Sequence, residues 1–475
     1  MMRKMLSVVA LFALLLPMLV VAGGRATALA QDATPTAQDA SPAAMTATME
    51  RDETVSGTID VGMVANPQMV ALQDLVASGA FSEIYPNVTI RFTVLPENEI
   101  RQVITQDITT QAGQFDVVTI GPFEVPLWAQ EGWLEEVGEE AAADPTYNLD
   151  DIFEAHKQGL STDEGLFALP FYGESSMVFY RKDLFEQAGI EMPEEPTWEQ
   201  IGEFAQQLDT EEVSGICLRG LPGWGEQLAP LTTVINAFGG RWFDEDWNAQ
   251  LDSEESAAAI RFYIDTLREY GPAGAEGNGF TECETLFNNG EVAMWYDATS
   301  AAELVTDPEL NPNADQVGFA FAPTQADPEN HGNWLWNWSF AMAANSDAKD
   351  AGLAFMKWAT SPTYFQTIAE AEGFGRAPTG ARASTYQDPG YREYAGAFAD
   401  IVVQSLENAN PNEPTIDPVP YQGGQFVRIP EFQQLGNDVS QEFAAAIVGQ
   451  QSVDDAIQAA NDLANQVAQD NGYQT

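Results

Sequence analysis

A chain of 475 residues is longer than one hydrophobic core usually serves, so its length argues for two domains or lobes. With 19 basic against 72 acidic residues, its net charge of -53 excludes an electrostatic attraction to nucleic acid or anionic lipid. Two cysteines and two histidines, with no CxxC or HExxH, leave a zinc site little to work with, and nothing in the composition calls for a cofactor.

Arg3 and Lys4 stand ahead of an apolar run from Met5 to Ala22, followed by the small-residue sequence ATALAQD. This pattern predicts a secretory signal peptide over residues 1–30, cut after Ala30, and hence an exported protein, periplasmic or at the cell surface. An uncleaved anchor is the alternative, because the run is barely long enough to span a bilayer. The absence of a cysteine beside the site excludes a lipoprotein-type anchor. Residues 31–54 are small, polar and proline-containing, without the apolar periodicity that folding needs, and are predicted to be a disordered leader.

The folded part opens with an alternating strand over residues 58–63. A helix carrying Met69, Leu72 and Val76 follows, then a strand carrying Val88, Ile90 and Phe92. A second amphipathic helix within ENEIRQVITQDITT leads to a short buried strand over residues 117–120, which stops at Gly121-Pro122. Strand alternating with helix is the grammar of a parallel sheet, whose ligands sit beyond the carboxyl ends of the strands. ANPQM, residues 65–69, and GPFE, residues 121–124, are therefore candidate site loops.

The alternation restarts downstream, as a second lobe requires. FALPFYGESSMVFYRKDLFEQAGI is extended up to Tyr180 and then turns helical. PTWEQIGEFAQQLD is a helix with Thr197 and Gln200 spaced as a capping box, and with Ile201, Phe204, Ala205 and Leu208 as its buried stripe. SGICLRG reads as a short strand. The Gly/Pro-rich GLPGWGEQ follows, then a helix to about Phe238. Ser361 caps a helix in SPTYFQTIAEA, and the last helices fall within residues 437–466. Cys217 and Cys283 either form a disulfide or remain two buried thiols. The acidic FDEDWNAQLD lacks the spacing and the glycine of an EF-hand loop.

The segments FALPFYGESSMVFYRKDLFEQAGI, GICLRGLPGWGEQLAPLTTVINAFGGRWFDEDWNAQL, GEVAMWYDATSAAELV and PYQGGQFVRIPEFQQLG resemble the solute-binding proteins of bacterial carbohydrate ABC importers. YGESSM and CLRGLPGWGE are most similar to the sorbitol/mannitol (polyol) branch. The resemblance spans residues 58–466 and implies a two-lobed α/β fold of the periplasmic-binding-protein type. By it, the chain crosses between lobes at residues 168–171, 319–323 and 374–379. One lobe then comprises residues 55–168 and 323–373, and the other residues 169–322 and 374–475. It also implies a non-enzymatic, monomeric receptor that takes a small neutral carbohydrate or polyol and hands it to membrane permease subunits. An oligosaccharide receptor and a secreted glycoside hydrolase are the alternatives.

Burying a polyol requires a partner for each hydroxyl removed from water. Carboxylates, which accept from neighbouring hydroxyls, and arginine, which donates two bonds in one plane, suit this best. Under the resemblance the polar candidates are Asn66, Glu124, Tyr172, Glu174, Arg219, Glu226, Asp297, Asn337 and Arg376, with aromatic walls from Trp224, Trp295, Trp334, Trp336 and Phe374. Glu174 and Asp297 could be caps or solvated acids, but both stand inside otherwise apolar strand-like runs, PFYGESSM and AMWYDATS, which favours the cleft, while Arg219 could equally be a buried ion pair. Strict alternation in GNWLWNWSF puts Trp334, Trp336 and Trp338 on one face. A loop-to-strand junction under the family reading instead leaves Trp334, Trp336 and Asn337 at the cleft and sends Trp338 and Phe340 into the core.

Overall fold

The computed structural model describes residues 48–474, so the expected signal peptide and residues 31–47 of the leader lie outside the described residues. The end of the expected leader is ordered rather than free. Met49 N–H donates to Thr363 Oγ1 at 3.1 Å, and Asp52 N–H to the Ile84 carbonyl at 2.8 Å, so backbone pairing with the first lobe overrides a polar composition.

Among the described residues, ten strands form three sheets: β1 (Ser56–Val64), β2 (Asn87–Leu95), β3 (Val117–Ile120), β4 (Ser161–Thr162), β5 (Gly165–Leu166), β6 (Ala168–Glu174), β7 (Ser176–Arg181), β8 (Met294–Ala298), β9 (Val317–Phe321) and β10 (Trp336–Met342). The first lobe is built on the order β2-β1-β3-β10-β6, the second on β8-β7-β9, and β4-β5 is a small hairpin. In the large sheet β1, β2 and β3 run parallel, as the strand-helix alternation predicts. β10 is antiparallel to both β3 and β6. The carboxyl ends of β1, β2, β3 and β6 therefore meet the amino end of β10 along one edge. The second sheet is antiparallel throughout.

Helices α1 (Pro67–Ser78), α2 (Ala80–Ile84) and α3 (Glu97–Thr110) follow β1 and β2. The capping box on Trp198–Leu208 is formed: Gln200 N–H donates to Thr197 Oγ1, and Thr197 N–H to Gln200 Oε1. Ser361 Oγ accepts from Tyr364 N–H at the start of Pro362–Glu372. SGICLRG is not a strand. It makes only single bridges, Ser214 to Val292 ahead of β8 and Cys217 to Trp295 within it, so no continuous ladder forms. Cys217 and Cys283 form a disulfide, and both residues are fully buried.

The change of sheet falls later than residues 168–171. β6 is hydrogen-bonded to β10 as far as Glu174, and β7 joins the second sheet from Ser176, so Ser175 is the turning point. The chain returns to the first sheet between Phe321 and Trp336. Among the described residues, no helix is long and apolar enough to cross a membrane.

Candidate functional site

The edge where the strands of the large sheet end faces the second lobe across a cavity lined by both lobes. β6 and β10 form its floor. Their register sets Trp336 against Glu174 and Trp338 against Tyr172, so these four side chains share one face of the ladder. Gly121, at the end of β3, leaves room for the indole of Trp336, since a Cβ there would lie 2.3 Å from the ring. Trp334 lines the same cavity just before the strand begins.

Three other segments of the first lobe contribute. Asn66 stands at the N-cap position of α1, but its side chain does not cap the helix; its Nδ2 donates to the Tyr172 hydroxyl at 2.7 Å. Glu97 and Arg101, one turn apart at the start of α3, are ion-paired at 3.0 Å. Arg101 also donates to Glu124 Oε1 at 2.7 Å, while Glu124 Oε2 accepts from Gly121 N–H. The guanidinium carbon of Arg101 lies 4.3, 5.0 and 4.5 Å from the ring centres of Trp224, Trp336 and Trp338, held among aromatic faces as a cation.

The second lobe supplies Arg219, Trp224, Gly225, Ala229, Phe280 and Ser300, and Gln425 completes the wall. Asp297 grips Arg219 through two bonds, from Nε at 2.9 Å and Nη2 at 2.5 Å. Arg219 Nη1 donates to the Gly225 carbonyl at 3.1 Å and lies 3.5 Å from Glu226 Oε2. Ser300 Oγ donates to Glu174 Oε2 at 2.6 Å. Among the described residues, Trp334 Nε1 and Gln425 Oε1 have no hydrogen-bond partner, which leaves a donor and an acceptor unmatched on residues of the lining.

Burial governs the charges. It pushes the Glu174 carboxyl up to about 7 against the Ser300 hydrogen bond and the Arg219 charge. It pushes Glu226 up to about 8, with the Glu97 charge adding to the effect. Glu124 is raised by burial despite Arg101. Burial works against the Arg219 guanidinium, but Asp297 beside it, with Glu226 and Glu97, holds its pKa above the ordinary value. Both guanidiniums are already matched by carboxylates, Arg101 by Glu97 and Arg219 by Asp297, a setting for neutral hydroxyls rather than a bare anion.

Of the residues expected from the sequence, Asn66, Tyr172, Glu174, Arg219, Trp224, Trp334 and Trp336 line the cavity. Glu124, Glu226, Asp297 and Trp295 do not. Glu124 lies behind Arg101; Glu226 and Asp297 lie behind Arg219; and Trp295 donates from Nε1 to Asp297 Oδ2 at 3.0 Å. Asn337 points to the opposite face of β10. There its Nδ2 donates to His156 Nδ1 at 3.0 Å, while His156 Nε2 donates to the Gly380 carbonyl at 3.0 Å. Phe374 packs on Phe365, Tyr391 and Tyr394, and Arg376 pairs with Asp307 at 3.7 Å, both away from the cavity. Trp338, expected in the core, lines the cavity with its two neighbours. The β10 alternation begins at Trp336 and stays regular as far as a bulge after Trp338, which is why these two indoles share the cavity face, while Trp334 joins them from the segment before the strand. Phe340, beyond the bulge, does pack in the core on Phe171 and Phe355.

Glu97 and Arg101 were not expected, although one signal pointed to them. β2 ends at the same edge as β1 and β3, so the loop after it was as strong a candidate as the two singled out. Ser300 and Gln425 lie within the resemblance segments GEVAMWYDATSAAELV and PYQGGQFVRIPEFQQLG. Phe280 carries no such signal.

Residues 65–364 match the model of the family described as bacterial extracellular solute-binding protein. The mannitol-binding protein of Pseudomonas aeruginosa is 46% identical over 405 residues, which cover 85% of this chain and 91% of that protein. A crystal structure of an ABC transporter solute-binding protein from Agrobacterium vitis S4 with bound D-mannitol is 43% identical. It superposes with a TM-score of 0.85 over 88% of this chain and 100% of that one. A solute-binding protein from Agrobacterium radiobacter K84 in complex with ribitol shares the fold, with a TM-score of 0.75 at 23% identity over 88% of this chain and 100% of that one. On the extent of these matches, the chain belongs to the bacterial extracellular solute-binding protein family.

Proposed function

We propose that this protein is the receptor of a carbohydrate ABC importer, that its solute is an acyclic polyol of the mannitol class, and that it delivers this solute to the membrane permease without chemical change. The observation that carries the reading is the cavity lining, in which three indoles on one face meet two arginines, each held by carboxylates. Indole faces cover the C–H edges of a carbon chain, while Glu97, Glu174 and the guanidinium N–H groups reach its hydroxyls. The mannitol bound by the Agrobacterium vitis relative supports the same solute class. The two guanidiniums are already met by carboxylates, Arg101 by Glu97 and Arg219 by Asp297, pairings that disfavour a phosphorylated solute.

The same reading includes export by the segment ending at Ala30, action as a monomer, and a first lobe that extends through β6 to Glu174 before the chain enters the second at Ser176. Titration calorimetry with D-mannitol, sorbitol, ribitol, maltose and glycerol 3-phosphate tests the solute. Saturation by a hexitol with no product after long incubation is the expected result. Binding of maltose or the phosphate ester, with no response to any polyol, would overturn it.

A further inference from the structure

The cavity walls are nearly closed to solvent: Arg219, Trp224, Trp334, Trp336 and Trp338 are each at most 5% exposed. A solute reaches them only if the lobes separate, so some contacts must form anew each time they meet. One face of α3 holds such contacts. Asn98 Nδ2 donates to the Pro222 carbonyl of the second lobe at 3.0 Å, and the Arg101 guanidinium sits over the Trp224 ring. Gly225 lies against the same face, where a Cβ would stand 2.4 Å from Glu97 Oε1 and 3.0 Å from Arg101 Nε. Its backbone is not in the left-handed region, so nothing within its own lobe demands glycine through φ. Glu97 cannot swing aside freely, because the oxygen in question is the one paired with Arg101.

We propose that the α3 face carrying Glu97, Asn98 and Arg101 is a latch that docks on the turn at residues 222–225, and that Gly225 is glycine so that the lobes can close fully. This rests on the polyol-receptor reading. A side chain at 225 leaves each lobe intact and holds the cleft ajar, so the bound solute escapes faster while its entry is unhindered.

The test uses Gly225→Ala and Asn98→Ala in the full chain, with D-mannitol as the probe. Stopped-flow tryptophan fluorescence gives the rate constants, and small-angle scattering gives the radius of gyration with and without solute. The expected result is an off-rate raised about tenfold or more in each variant with the on-rate within about twofold, the usual partition when contacts form after encounter. Solute-free denaturation midpoints stay unchanged, and saturated Gly225→Ala fails to reach the compact radius of the saturated parent. If saturated Gly225→Ala is as compact as the parent, or Asn98→Ala releases mannitol at the parental rate, the latch is refuted. If the parent itself ignores mannitol, the solute assignment fails instead, and the two failures are distinct.

Discussion

Asp297→Asn removes one charge with almost no change of shape, and its cost follows from the bonds this carboxylate makes. Asp297 is fully buried and accepts four hydrogen bonds, from Arg219 Nε and Nη2, Trp295 Nε1 and the Ala298 N–H, at 2.9, 2.5, 3.0 and 2.7 Å. An asparagine offers one oxygen and can keep at most two of them, so two donors then face its amide N–H₂. Each orphaned buried donor costs about 1–3 kcal/mol, and breaking one side of a buried ion pair about 3–5 kcal/mol, so the loss of stability is about 3–5 kcal/mol. Arg219 keeps its bond to the Gly225 carbonyl and its place at the cavity, so mannitol affinity falls by less in free energy than stability does. Urea denaturation of the solute-free protein, with an unchanged slope, measures the first quantity, and calorimetry on the folded variant the second. A stability loss under about 1 kcal/mol together with abolished binding would refute the reasoning and make Asp297 a direct solute ligand.

Trp338→Ala is expected to lower mannitol affinity about as much as Trp336→Ala, each by about tenfold or about 1.4 kcal/mol, whereas Asn337→Ala leaves affinity within about twofold and lowers stability by stripping the partner from His156. Calorimetry on the three variants checks this, and the reverse order would return Trp338 to the core. Glu174 is a carboxyl whose folded value, about 7, lies above its ordinary 4.5 because it is buried. The folded protein then holds the proton over a window in which the unfolded chain has released it, so stability is lost as pH rises from about 4.5 to about 7 and is level beyond. The full effect is about 3 kcal/mol. Glu174→Gln lacks this loss, and denaturation at pH 5 and pH 8 should show the variant gaining on the parent by that order. An equal difference at both values would mean that Glu174 is solvated.

The sequence alone determined the class of fold, the first three strands and the helices between them, since these depend on local periodicity. It also marked the capping box at Thr197 and the Ser361 cap, which depend on residues only three apart. The indoles of GNWLWNWSF were legible for the same reason. Alternation within one strand is local, and it sets Trp338 beside Trp336 on the cavity face, where the loop-to-strand reading sent Trp338 into the core. Only the tertiary structure decided depth. Glu174 and Asp297 stand in similar apolar runs, yet one reaches the cavity and the other lies beneath Arg219, because β6 ends at the cleft edge while β8 passes behind residues 217–219. Phe374 and Arg376 lie in the segment expected to cross between the lobes, but their partners are Phe365, Tyr391 and Asp307, contacts that no local pattern encodes. Arg101 shows the same limit from the other side. It is one basic residue on an amphipathic helix until folding sets Glu97 and Glu124 against its charge and three indoles around its plane, and that convergence of distant segments turns it into part of a site.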